Sequence, residues 1–284
     1  GQIDKARSAA VKSVELAPQS AYAWNMQASV QHAALDVGGA LAGYDKALSL
    51  EPRHVDARVA RAALLIDLNR DDAATADLDY LRTAAPGEPR AAYLRALLAS
   101  RAGDTRAVAD SLNEVVKLID ALPPAWLAGR EQLLMVGAMS HHGLGNWEKA
   151  RDYLNVILNR NPRNLAAKKL LASIYLETRD YSRAQSQLEA LQKATPDDPQ
   201  VLYLLGSVHL AQRRYAQASE LLEKAVARTG SAEMTRSLGF SQIGLGRGDL
   251  GVASLEKAFT VNPGDTRAGM TLAMIYLRRG QTQK

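Results

Sequence analysis

Residues 164–196 read NLAAKKLLASIYLETRDYSRAQSQLEALQKATP, and this stretch decides the fold. Apolar side chains recur three and four residues apart in its first half, as at Leu171, Ala172 and Tyr175, and again in its second half. That spacing places them on one face of a helix, so each half predicts an amphipathic helix. Pro196 ends the second helix, because proline lacks the N–H that a helix interior needs. The stretch therefore predicts two helices joined by a turn.

The proline that ends this stretch recurs along the chain at a fixed interval. The prolines are Pro18, Pro52, Pro86, Pro162, Pro196 and Pro263. Three of the intervals are 34 residues, and the last spans two units, with Gly230 where the missing proline would stand. A fixed period of this length is typical of one small unit stacked on itself. Such an array favours a binding scaffold over a catalyst.

Small residues are paired between the two helices of a unit. The pairs are Ala28 with Ala40, Ala172 with Ala184, Gly206 with Ala218, and Gly239 with Gly251. A small residue at each crossing point lets the helices approach closely. Together with the period, the pattern resembles the tetratricopeptide repeat over essentially the whole chain. The resemblance implies an all-α fold, a right-handed superhelical solenoid of stacked antiparallel helix pairs. Arg61 departs from the pattern, because the repeat has leucine there.

The resemblance implies one tetratricopeptide solenoid over residues 1–284, cut from a longer array. We expect a half-unit at 1–18, full units ending near residues 52, 86, 124, 162, 196, 230 and 263, and a half-unit at 266–284. The interval from Pro86 to Pro162 is 76 residues, eight more than two units. The surplus falls near 117–130, around Pro123, Pro124 and Trp126. It is either a tolerated insertion or a bend in the array with Trp126 as an exposed anchor.

Composition and motifs exclude several classes of site. The chain has no cysteine, which rules out disulfides, thiolate metal sites and a cysteine nucleophile. No apolar run approaches the roughly 18–20 residues of a membrane-spanning helix. Phosphate-binding glycine loops, zinc-protease motifs and serine elbows are missing, so we expect no enzyme activity and no cofactor. Met135, Met139 and His142 share a helical face and could hold copper, but such a stripe usually packs, and we expect no metal site.

Charge is uneven along the chain. The net charge is +5, made up of −2 over residues 1–142 and +7 over residues 143–284. A solvated surface accounts for this excess, and an anionic partner is the alternative. No basic block is interleaved with aromatic residues, so we expect no nucleic-acid partner.

In the tetratricopeptide family the first helix of each pair lines a concave groove. Carried over by position, the groove residues are Tyr22, Asn25, His32, Tyr93, Leu97, Met135, Met139, His142, Lys169, Tyr203, Arg236, Phe240, Met270 and Met274. The family's carboxylate clamp needs paired lysine and asparagine, which this array lacks. An apolar groove with tyrosine and methionine suits a protein or peptide ligand, as an amphipathic helix or an extended chain. The alternatives are that these side chains only pack between helices, or that the basic C-terminal half binds an anionic polysaccharide.

Two stretches, residues 91–104 and 164–176, are similar in amino-acid sequence to the repeat lipoproteins of the exosortase (PEP-CTERM) sorting system. That resemblance implies a periplasmic or envelope-associated parent chain with a role in export or exopolysaccharide handling. A cytoplasmic location stays open, because the lack of cysteine fits either compartment.

Overall fold

The computed structural model describes residues 2–280, and their regular structure is entirely α-helical. The predicted all-α array of antiparallel helix pairs is confirmed. We call the first helix of each pair an A helix and the second a B helix. The A helices are α2 (Ala21–Ala33), α4 (Val55–Asp67), α6 (Pro89–Arg101), α9 (Glu131–Gly143), α11 (Leu165–Glu177), α13 (Pro199–Ala211), α15 (Ala232–Gly244) and α17 (Thr266–Arg278). The B helices are α1 (Gln2–Leu16), α3 (Val37–Leu50), α5 (Asp71–Ala84), α7 (Thr105–Asp120), α10 (Trp147–Arg160), α12 (Tyr181–Ala194), α14 (Tyr215–Thr229) and α16 (Gly248–Val261).

The helices fall into two compact units. Unit 1 runs to Tyr153 and unit 2 begins at Leu154. The predicted half-units at 1–18 and 266–284 include residue 1 and residues 281–284, which lie outside the described residues.

Every A helix is followed, two residues after its end, by a residue in the left-handed conformation. These residues are Leu35, Asn69, Gly103, Gly145, Arg179, Arg213, Gly246 and Gly280. Left-handed geometry satisfies the last helix carbonyls and reverses the chain. Where a described B helix follows, the next residue immediately precedes it, and Asp36, Asp104 and Asp180 each cap that helix by accepting a backbone N–H. The A–B turn is therefore repeated in backbone shape even where its sequence changes.

The paired small residues lie where A and B helices cross. In unit 2, Gly239 and Gly251 face each other so closely that a Cβ on Gly251 would lie 2.8 Å from the Gly239 carbonyl oxygen. In unit 1, Ala28 and Ala40 are fully buried. The apolar positions of the repeat form the core around these crossings, with Tyr44 and Leu78 among the largest buried side chains.

A buried ionic network accounts for Arg61, the departure from leucine. Asp77 on α5 is 2% exposed and accepts hydrogen bonds from Arg58 at 2.8 Å and from Arg61 at 2.8 and 2.7 Å. Arg61 also donates to Asp45 on α3 at 2.6 Å. Since two arginines share one buried carboxylate, the network joins three helices of unit 1 through charge rather than through apolar contact.

The irregular segment near 117–130 is ordered around one carboxylate. The helix α7 continues to Asp120, and a single-turn helix, α8 (Pro124–Leu127), precedes α9. Asp120 accepts a hydrogen bond from Tyr153 and lies 3.1 Å from Nε2 of the buried His141. Burial would raise the pKa of Asp120, but the hydrogen bonds from Tyr153 and His141 outweigh it and lower that pKa. These contacts fix the end of α7 against the next helix pair.

Candidate partner-binding face of the A helices

In unit 1 the predicted residues of α6 and α9 come together as one apolar strip. Tyr93 on α6 lies with its Oη 3.5 Å from the Sδ of Met139 on α9. Leu97 and Met135 are half-buried, as are Tyr93 and Met139. Burial raises the pKa of the Tyr93 phenol, which keeps this hydroxyl neutral. We call Tyr93, Leu97, Met135 and Met139 the α6–α9 strip.

The predicted residues of α2 divide between surface and interior. Tyr22 is 65% exposed, whereas Asn25 is only 7% exposed. Asn25 is therefore out of reach of a partner, and its buried Oδ1 has no hydrogen-bond partner. His32 is half-buried on the last turn of the helix.

His142 lies beside the α6–α9 strip but packs against the next helix. Its ring meets Trp147 edge-on, with the centroids 5.2 Å apart. The Met139 sulfur faces Tyr93. Met139 and His142 of the predicted stripe with Met135 therefore contact neighbouring aromatic side chains. No group of three or more metal-binding His, Asp or Glu side chains converges within residues 2–280.

In unit 2 the predicted polar residues connect each A helix to the next one. Three pairs do this: Lys169 to Asp198 at 3.0 Å, Tyr203 to Glu233 at 2.7 Å, and Arg236 to Asp265 at 2.8 Å. The three donors occupy equivalent positions in α11, α13 and α15. Each acceptor lies at the start of the following A helix. We call these pairs the A–A ties.

The A–A ties neutralise charge on this face. Burial would raise the pKa of Asp198, but hydrogen bonds from Lys169 and from backbone N–H groups lower it. Asp265 behaves in the same way, with a lowered pKa that its backbone bonds and Arg236 maintain against burial. Burial and then the Glu233 carboxylate raise the pKa of Tyr203 to about 12. The cations predicted to line the groove in unit 2 are thus already paired.

The remaining predicted residues of unit 2 are apolar. Phe240 on α15 is half-buried under Arg267, whose guanidinium carbon lies 4.8 Å from the ring centroid. On α17, Met270 is 68% exposed and Met274 is 55% exposed.

Trp126 lines a cleft of unit 1. The side chain is 43% exposed, and the Arg130 guanidinium stacks 3.4 Å from the centre of its ring. The cleft holds about 540 Å³ and is also lined by Pro89, Leu122 and Leu133. The arginine covers one face of the indole, which reduces the surface that this residue offers to a partner.

Residues 137–184 and 169–233 match the family model of the tetratricopeptide repeat. Residues 137–233 therefore carry the tetratricopeptide repeat. Each pair of small residues at a crossing and each left-handed turn belongs to one repeat, and the fold is that of a protein-interaction scaffold. No curated protein matches the chain.

Solved structures show the same fold at low sequence identity. A chain of the APC/C hetero-tetramer Cut9–Hcn1 matches 95% of this chain with a TM-score of 0.71 and 14% identity. The repeat chain spans about half of that protein, 52% of its length. A tetratricopeptide repeat protein from Parabacteroides merdae matches 85% of this chain and 93% of its own length, with a TM-score of 0.51 and 17% identity. None of the helices described here has the length and hydrophobicity to cross a membrane.

Sequence reasoning found the A-helix positions but not their partners. The A–A ties have a sequence signal, because donor and acceptor are separated by about one repeat, 29 or 30 residues. Opposite charges one repeat apart on A helices would have found Lys169 with Asp198 and Arg236 with Asp265.

Proposed function

We propose that this chain is a non-catalytic scaffold that binds a protein or peptide on the A-helix face, with the α6–α9 strip as its best-formed contact surface. The observation that carries the proposal is the contact between Tyr93 and Met139, which makes one apolar surface from two helices. An amphipathic helix or an extended chain recognises such a surface through a few apolar anchors. Methionine adds adaptable packing, since its side chain is unbranched and polarisable.

Unit 2 supports the same proposal in a different way. Its A–A ties hold consecutive A helices in fixed register and leave no unpaired cation at those positions of α11 and α15. A rigid face lowers the conformational entropy that the scaffold itself loses on binding. We place this protein in a bacterial envelope, in export or exopolysaccharide handling. The similarity of residues 91–104 and 164–176 to the repeat lipoproteins of the exosortase system supports that placement.

The test uses peptides selected from a displayed library on the purified chain, with affinity measured by fluorescence polarisation. Leu97→Glu and Met139→Glu each place a charge in the α6–α9 strip, and we expect each to weaken binding at least tenfold. Leu16→Glu is the matched control, because Leu16 is 76% exposed on α1 and lies outside the strip. Selected peptides that bind the two strip variants as tightly as the control would contradict the proposal.

A further inference from the structure

Four arginines of unit 2 stand at positions of the A–B turn where arginine weakens the fold. Arg179 and Arg213 occupy the left-handed position with φ of 62° and 60°. At the same position four other turns have glycine, which adopts this geometry without a steric penalty. Arg214 and Arg247 occupy the N-cap position of α14 and α16 and form no capping bond. We call these four residues the arginine edge.

The loss of helix stability is clearest at the N-cap position. In the turns before α7 and α12, an aspartate accepts a backbone N–H and places negative charge at the positive end of the helix dipole. Arg214 and Arg247 form no capping bond, and they place positive charge at the N-terminal end of their helices, which is the positive end of the helix dipole. Residues that weaken the fold at several equivalent positions of one surface indicate a selected function.

The side chains of the arginine edge are also free. All four residues are exposed, and within residues 2–280 none forms a side-chain hydrogen bond or ion pair. Several other arginines are paired, as Arg90 is with Glu88 and Asp56. Unpaired guanidinium groups can bind carboxylates with two parallel hydrogen bonds.

The four arginines share one edge of unit 2. They lie in the turns that follow α11, α13 and α15, which run in the same direction because the A–A ties join their starts. At the other end, Gln212 beside the second turn donates to Gln185 on α12 at 3.3 Å. Packed helices lie about 8–10 Å apart, so successive turns present cations at a spacing of this order.

We propose that the arginine edge binds an acidic segment of a partner protein, at a surface separate from the A-helix face. Two aromatic rings close to the edge in sequence are already in contact with the chain: Tyr215 packs on Gly244, and Tyr175 lies under Arg183. Sugars and unpaired bases are held by stacking on aromatic faces, and the edge provides charge instead. Aspartate and glutamate side chains on an extended peptide match this surface by charge alone.

The experiment measures binding of a fluorescein-labelled peptide of ten glutamates by fluorescence polarisation, with a peptide of ten glutamines as the neutral probe. The edge variant combines Arg179→Gly, Arg213→Gly, Arg214→Ser and Arg247→Ser. The control variant removes the same charge from exposed positions away from the edge, with Arg163→Gln, Lys193→Gln, Lys224→Gln and Lys257→Gln. We expect the edge variant to lose at least tenfold in affinity and the control variant less than threefold, and we expect raised salt to weaken the binding of the wild-type chain.

The edge variant is also expected to melt at the same temperature as the wild-type chain or about 2 °C higher, because glycine and serine suit these turn positions. Equal losses in the two variants would overturn the proposal, as would a lower melting temperature of the edge variant. A polyuronate or a single-stranded DNA that binds the edge more tightly than the glutamate peptide would overturn the assignment to a protein partner. The strip variants Leu97→Glu and Met139→Glu should bind the glutamate peptide normally, so failure of the edge and failure of the strip are separate results.

Discussion

Removal of the Asp77 carboxylate should destabilise unit 1 more than any other single charge deletion in it. Asp77 is 2% exposed and accepts three hydrogen bonds from two arginines. Asp77→Ala leaves Arg58 and Arg61 facing a buried space, with side-chain exposures of 13% and 24%. Loss of one partner from a buried ion pair costs about 3–5 kcal/mol, because the remaining charge is desolvated without compensation.

The structure places the expected loss near the lower end of that range, at about 3 kcal/mol. Arg61 keeps Asp45 at 2.6 Å, and Arg58 keeps its stacking on the Tyr80 ring at 3.8 Å. Arg58 also keeps the hydrogen bond that it donates to the Pro52 carbonyl oxygen at 2.7 Å.

Two measurements check this magnitude. Urea unfolding followed by circular dichroism gives the free energy of unfolding, and hydrogen exchange shows whether the loss is confined to α4 and α5, since repeats unfold unevenly. The triple variant Arg58→Met, Arg61→Leu, Asp77→Leu is the control. Apolar residues of similar volume often replace a buried ionic network without loss, so we expect the triple variant to recover most of the stability. A loss below 1 kcal/mol for Asp77→Ala, or a triple variant less stable than the single one, would refute the reasoning.

Three further outcomes are expected. Gly251→Ala should destabilise unit 2 by about 1–3 kcal/mol in urea unfolding, because its Cβ would clash with the facing glycine carbonyl. Gly38→Ala in unit 1, with open space around it, should not destabilise its own unit. Asp198→Asn should make unit 2 less sensitive to acid. The lowered pKa of Asp198 adds stability above about pH 4, and this stability is lost as the pH falls through the folded-state pKa. Circular dichroism between about pH 5 and 2 should therefore show a smaller change in the variant than in the wild-type chain. Tyr203→Phe should cost about 1 kcal/mol by removing the bond to Glu233, and a melting temperature equal to that of the wild-type chain would show that this tie is not stabilising.

The helices were predictable because the same two-helix sequence pattern recurs several times along the chain. A turn such as Gly103-Asp104 carries both the left-handed glycine and the capping aspartate, so its geometry can be read locally. Arg213-Arg214 has neither signal, and only the period places a turn there. Local propensity opposes the fold at that point, and stacking against neighbouring repeats decides it.

The candidate site was less predictable, because exposure depends on what the next repeat covers. Asn25 and Tyr22 lie on the same helix and both match groove positions, yet one is buried and the other is exposed. Similarly, the sequence alone shows no partner for Lys169, whereas in the structure it forms an ion pair with Asp198. Charge can be counted from a sequence, whereas its pairing requires the distance between consecutive A helices.

The two proposed surfaces follow from how the chain distributes its ion pairs. On the A-helix face, the cations of unit 2 are paired across repeats, so this face offers shape and apolar contact rather than charge. At the arginine edge the charges are unpaired and stand where they weaken the turns and helix starts that carry them. If the excess of basic residues in residues 143–284 were only a solvated surface, it would fall on helix exteriors, where arginine costs no stability. Four of its arginines instead occupy left-handed and N-cap positions, and that placement is the argument for recognition of an anionic partner at the edge.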